Sequence, residues 1–216
     1  MKDTELRDTV ERALEFEPSI DAADIGVAVE NGVVTLTGHV ATYPQKLTAE
    51  RVAQGVKGVR GIAQEIEVRA GIGNHAADDE IAARALNSIA WNVIVPDDKI
   101  QVKVQKGWVT LTGRVDWNFQ RTAAEHAVQG LTGVIGVSNQ ISVAPAAKAS
   151  DVKRRIEEAL KRSAEVEASG VSVSVTDTKV VLEGKARSWA ERRAIERAAW
   201  AAPGVARVED RLVVSY

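Results

Sequence analysis

The 216-residue sequence contains no cysteine. Disulfides, thiolate metal sites and a cysteine nucleophile are thereby excluded, while the redox compartment stays open, because a chain without thiols suits cytoplasm and periplasm alike. Histidine is nearly as scarce: His39, His75 and His126 are the three in the chain. No HExxH, GxSxG or phosphate-loop pattern is present, so the sequence predicts no enzyme, no metal, no cofactor and no small-molecule substrate. No stretch approaches the ~20 apolar residues of a membrane span. The charged opening MKDTELRDTV lacks the apolar core of a secretion signal. Aromatic residues make up 4% of the chain, and all five Trp lie beyond residue 90.

What is present is ordinary in bulk and unusual in arrangement. A hydrophobic fraction of 45%, a charged fraction of 27% and a net charge of −2 describe a folded, water-exposed protein. The charge is graded along the chain. Residues 1–73 hold 8 basic and 12 acidic side chains, residues 74–147 hold 6 and 7, and residues 148–216 hold 14 and 11. The balance therefore runs from −4 through −1 to +3, a gradient able to orient the molecule on an anionic surface.

The stretch NGVVTLTGHV at 31–40 returns as KGWVTLTGRV at 106–115. A shift of 75 residues superposes the first unit on the second, and a further 71 reaches the third. Gly38, Gly113 and Gly184 then coincide, as do Glu50, Glu125 and Glu196, and Gly58, Gly133 and Gly204, each of the last three followed by Val. Three tandem domains follow, at 1–70, 76–144 and 148–216, joined by short linkers rich in small residues (70–77 and 144–149).

Each unit reads helix, strand, strand, helix, strand. The first helix is expected to open at Thr4, Asp79 or Ser150 as cap, and to bury Leu6, Val10 and Leu14 or their equivalents at helical spacing. An alternating strand follows (Ile25, Val27, Val29). Asn31-Gly32 and Lys106-Gly107 then read as tight hairpin turns. The second strand points Val34 and Leu36 inward, and Gly38 ends it where a side chain would obstruct the approaching helix or bend the strand. Thr42 with Gln45, and Ser188 with Glu191, fit a capping box for the second helix. That helix carries small residues (Ala49, Ala53; Ala124; Ala198, Ala199) suited to close packing. The structural glycines are thus Gly32, Gly38, Gly58, Gly107, Gly113, Gly133, Gly184 and Gly204.

The core GVVTLTG at 32–38, the Ala-Glu pair at 49–50, Gly58-Val59 and the closing Ile66 and Val68 resemble the BON family (bacterial OsmY and nodulation). The second unit carries the same features at 107–113, 124–125, 133–134, Ile141 and Val143. In the third, Asp177-Thr178 replaces the turn, while Gly184, Glu196, Gly204-Val205 and Val214 remain. The resemblance implies an α/β (α+β sandwich) fold in each unit, two helices on one face of a three-stranded mixed sheet. It also implies a non-enzymatic role in the bacterial envelope, often under osmotic stress, with phospholipid association. Its relatives are frequently exported, so the expected location is cytoplasmic for the chain as written and periplasmic if a signal has been removed.

Two groups of side chains are candidates for contact. Trp108 replaces Val33 and Lys179 on the open side of its strand, and Trp200 stands where the other units have Gln54 and Gln129. Bulky rings at such positions suggest a cover, either another domain of this chain or a partner. The second group surrounds the start of the second helix: Arg114, Trp117 and Phe119 in the middle unit, and Lys185, Arg187, Trp189, Arg192, Arg193 and Arg197 in the last. Aromatics beside cations suit an anionic phospholipid headgroup layer, and the same rings could instead close the edge of the core. On the lipid reading the third unit is expected to dominate, through its +3 balance. The alternative is a protein-interaction or self-assembly module working through open sheet faces and exposed Trp. Nucleic acid is not expected: the GVKG and GLTG stretches sit between helix and strand, and the third unit breaks the pattern.

Overall fold

The computed structural model describes residues 2–69, 76–144, 149–163 and 170–215, with the side chains of residues 149 and 150 excepted. His75 and most of both linkers, at 70–75 and 145–148, lie outside the described residues. The first repeat runs α1 (Asp3–Glu15), a 3-10 turn, β1 (Ile25–Glu30), β2 (Val33–Val40), α2 (Tyr43–Gly55), β3 (Gly61–Gln64) and β4 (Glu67–Val68). The second runs α3 (Asp78–Trp91), a 3-10 turn, β5 (Ile100–Gln105), β6 (Trp108–Val115), α4 (Asn118–Gln129), β7 (Gly136–Asn139) and β8 (Ser142–Val143). The third runs α5 (Ala149–Arg162), β9 (Val171–Thr176), β10 (Lys179–Ala186), α6 (Trp189–Trp200) and β11 (Arg207–Val214).

The hairpin strand is central in every sheet, with orders β1-β2-β3, β5-β6-β7 and β9-β10-β11. In the first repeat β2 pairs antiparallel with β1 and parallel with β3 and β4, and β10 does the same with β9 and β11. The mixed sheet follows from the connections: a two-residue turn permits only an antiparallel neighbour, and a helical crossover returns the chain parallel. Alternation then selects the faces. Val34 and Leu36 are fully buried in one cluster with Leu6, Val10 and Leu14 of α1 and Ala49 and Ala53 of α2. Val180, Leu182, Val152, Ile156 and Ile195 form the same cluster in the third repeat.

Asn31 and Gly32 both take positive φ, 51° and 77°, as do Lys106 and Gly107 at 51° and 76°. This is the mirror-image turn that matches strand twist. Its exposed N–H groups have a partner that the sequence reading missed. The Asp3 carboxylate accepts from Asn31 and Gly32 at 2.8 and 3.1 Å, and Asp78 accepts from Lys106 and Gly107 at 2.7 and 2.8 Å. The helix starts expected at Thr4 and Asp79 are corrected accordingly. Helices α1 and α3 begin at Asp3 and Asp78, so their caps stand two residues before those expected, and the Asp3 and Asp78 carboxylates tie the helix to the hairpin. Helix α5 begins at Ala149, so the third repeat lacks the carboxylate, and the side chain of Ser150 lies outside the described residues.

Gly38 is required for a different reason from the one expected. Its φ is +106°, and a Cβ there would meet the Asp24 carbonyl oxygen at 2.0 Å, not the helix. Gly113 and Gly184 face the Lys99 and Gly170 carbonyls at 2.1 Å each. The glycine lets the strand entering β1 close against β2.

Candidate functional site

With the helices on one face, each repeat offers an open sheet face and two ends. The expected capping box forms at α2, where Gln45 Nα–H donates to Thr42 Oγ1 at 3.4 Å and Gln45 Oε1 accepts from Thr42 N–H at 3.0 Å. In α6, Glu191 N–H donates to Ser188 Oγ at 3.1 Å. The Glu191 carboxylate, 5% exposed, accepts from the Arg187 backbone N–H at 2.6 Å. At the start of α4 the capping position is held by Trp117 instead. Gln120 Oε1 still accepts from Asp116 and Trp117 N–H at 3.1 Å, but no hydroxyl is available. Replacing a Ser or Thr cap costs about 1 kcal/mol, so this repeat gives up stability for an indole in solvent.

That end of the second repeat is apolar. Trp117 is 41% exposed and Phe119 is 56% exposed, and their rings stack with centroids 6.3 Å apart. Trp91, at the last position of α3, is 87% exposed, and Val93 and Ile94 follow at 99% and 47%. The turn after the first helix and the start of the second helix lie at one end of the unit: in the first repeat Gln45 Nε2 donates to Ser19 O at 3.1 Å, and Ser19 is the equivalent of Ile94. Lys99 joins Asp116 at 3.4 Å beside this end, and Arg114 is exposed on β6. The sequence reading selected Arg114, Trp117 and Phe119 and missed Trp91, Val93 and Ile94. The missed signal was an apolar run, WNVIVP, in what had to be a turn.

The cationic group of the third repeat is largely engaged within its own fold. Arg192 Nε donates to Asp210 at 2.7 Å, and its guanidinium lies 5.1 Å from the Trp189 ring centroid. Arg187 Nε reaches Glu191 at 3.4 Å. Lys185 and Arg197 are exposed and Arg193 is half-buried. The structure therefore brings Trp189 and Arg192 together over the sheet edge. Trp200 is half-buried, with the Arg121 guanidinium 5.6 Å from its ring centroid.

The three open sheet faces differ in chemistry. In the first, Val33 stands between Glu30 of β1 and Gly61 of β3. The third is an ionic lattice: Glu209 bonds Lys179 and Arg211, and Arg211 reaches Glu183 at 2.9 Å. Hydrogen bonds from Lys179 and Arg211 hold the Glu209 carboxyl down at about 2. In the second, Trp108 is 48% exposed beside a cleft with Lys103, Gln105, Lys106, Thr110 and Ile135. The recurrent glutamates are in local bonds, Glu50 with Gln54 at 3.1 Å and Glu125 with Asn139 at 3.0 Å. Among the described residues no group of three or more His, Cys, Asp or Glu could hold a metal ion, and no helix is long and apolar enough to cross a membrane.

The fold defines a class: tandem small α+β sandwiches. The BON domain profile matches residues 2–70, 77–145 and 148–216. The chain belongs to the BON domain family. It is 30% identical over 145 residues to osmotically-inducible protein Y of Escherichia coli, covering 65% of this chain and 72% of that protein. It is also 30% identical over 125 residues to a 21 kDa hemolysin of Actinobacillus pleuropneumoniae, covering 56% and 64%. A solved structure of CdsD, a structural protein of the type III secretion system of Chlamydia trachomatis, aligns over 98% of this chain and 92% of its own at 15% identity. The TM-score is 0.28, and at that value the likeness bears on neither fold nor function.

Proposed function

We propose that this is a non-catalytic protein of the osmotic-stress or envelope type that associates peripherally with anionic phospholipid through the apolar end of its second repeat. The observation that carries the reading is the set Trp91, Val93, Trp117 and Phe119, 41% to 99% exposed at one end of one repeat. In the first repeat Phe16 is exposed to a similar degree, at 90%, at the position equivalent to Trp91. In the third repeat the equivalent positions of Trp91 and Trp117 are Arg162 and Ser188. Fully burying one such side chain contributes roughly 1.5–3 kcal/mol, and each cation near an anionic surface adds about 1 kcal/mol. Two or three inserted rings beside Arg114 are enough for reversible attachment. Lys185 would add attraction, whereas Arg192, held on Asp210, would add little. The names of the two relatives, one induced osmotically and one a hemolysin, support this direction.

The test is co-sedimentation of the full chain with vesicles containing phosphatidylglycerol, at rising ionic strength. The chain is expected to bind, and a Trp91→Ser, Phe119→Ser variant to bind at least about tenfold more weakly, given the burial energies above. Both residues are exposed, so the fold should tolerate the change. Equal binding by variant and parent would remove the apolar end from the account. A parent that ignores vesicles but self-associates in light scattering would put the protein-interaction reading in its place.

A further inference from the structure

The open face of the second sheet holds a feature that the lipid reading does not use. Trp108 alternates with the fully buried Val109 and Leu111, so it stands on the face away from the helices. Its six-membered ring occupies the space a side chain at position 136 would need. A Cβ on Gly136 would lie 2.4 Å from Cζ3 and 2.6 Å from Cε3. The indole therefore lies across β7 with one side on the backbone and the other open. At the equivalent places the first repeat has Val33 over Gly61 and the third has Lys179 beside Arg207. Beside the ring is a cleft of about 370 Å³ whose lining includes Lys103, Gln105, Lys106 and Thr110, within the usual range of small-ligand sites, roughly 300–1,000 Å³. The Lys103 and Lys106 ammonium groups have no ion-pair partner among the described residues.

We propose that this face binds an acidic saccharide, its pyranose ring stacked on Trp108 and its carboxylate on Lys103 and Lys106. A flat aromatic backed by the sheet offers a π face to the C–H groups of a sugar ring. The amide of Gln105 and the hydroxyl of Thr110 can exchange hydrogen bonds with ring hydroxyls, which a purely apolar protein contact would leave unpaired. Two unpaired ammonium groups select an anionic ligand over a neutral one. A single-stranded nucleic acid, which also stacks on aromatics, needs a cationic groove running over several nucleotides. Here one ring and two lysines stand in a repeat whose balance is −1. The ligand is held without being turned over.

The first repeat supplies controls that preserve the fold, because it carries Ala28, Asn31 and Val33 where the second has Lys103, Lys106 and Trp108. Titration calorimetry of the full chain with trigalacturonic acid, neutral maltotriose and oligothymidylate should show binding of the first, with the second weaker by about tenfold or more. Trp108→Val should weaken trigalacturonic acid by about tenfold, a typical effect of losing one aromatic stack. The Lys103→Ala, Lys106→Asn variant should erase the preference for the acid and leave maltotriose unchanged. No saccharide binding by the parent overturns the proposal, as does binding unaltered by Trp108→Val. Oligothymidylate bound more tightly than trigalacturonic acid would overturn it in favour of nucleic acid.

Discussion

Gly38 and Gly55 separate two uses of one residue. At Gly38 the positive φ and the Asp24 carbonyl at 2.0 Å leave no room for a methyl group. Gly38→Ala is expected to destabilise by about 1–3 kcal/mol from backbone strain, with more if the strand shifts. Gly55, the last residue of α2, has nothing within 4 Å of a built Cβ and no positive φ. Gly55→Ala should be neutral or stabilise by about 0.4–1 kcal/mol through the unfolded chain. Urea midpoints of the two variants check both. Glu209 gives a pH prediction. Its carboxyl is lowered from 4.5 to about 2 by hydrogen bonds from Lys179 and Arg211. A depressed folded value means stability that is present above pH 4.5 and lost as pH falls through 2. An NMR titration should place the Glu209 midpoint near 2, and Glu209→Gln should flatten the acid limb of the stability curve.

Among the elements, the hairpin and the first helix depend on each other through Asp3 and Asp78. Both carboxylates bond two turn N–H groups, and hydrogen bonds to a charged group are worth about 1.5–3 kcal/mol each at most. These are partly exposed, so the lower figure applies. With two such bonds, Asp78→Ala should cost about 3 kcal/mol by that measure and speed amide exchange at Lys106 and Gly107. The third repeat has Ala149 at that place, which carries no carboxylate. In every repeat the 3.6-residue and two-residue apolar periods make the helices and strands legible from the sequence. The anchor was legible only as an aspartate shared by two repeats, because a carboxylate 28 positions from its partner leaves no local pattern. The same holds for Arg192. Helical spacing placed it among surface cations, and Asp210, arriving from β11 at 2.7 Å, took it out of play.

For the whole molecule, the charge gradient and the apolar end predict different salt responses. Attachment through cations alone falls away as ionic strength rises past the ~10 Å screening length of 0.1 M salt. Attachment anchored by Trp91 and Phe119 should lose part of its strength and then level off, which the vesicle series above will read directly. Repetition itself was determined by the sequence: three glycines in register, apolar positions at fixed spacing and turns between them admit one unit made three times. So was the character of each face, since strand alternation assigns Trp108 to the open side whatever surrounds it. Tertiary structure alone decided which polar groups meet. It placed the Asp24 carbonyl against Gly38, Asp210 on Arg192, and the Trp108 ring over Gly136. The reason is physical. Periodic burial is a property of one segment and can be read along it, whereas a contact between strands or between helix and sheet depends on register and crossing. Those are settled only when the whole core closes.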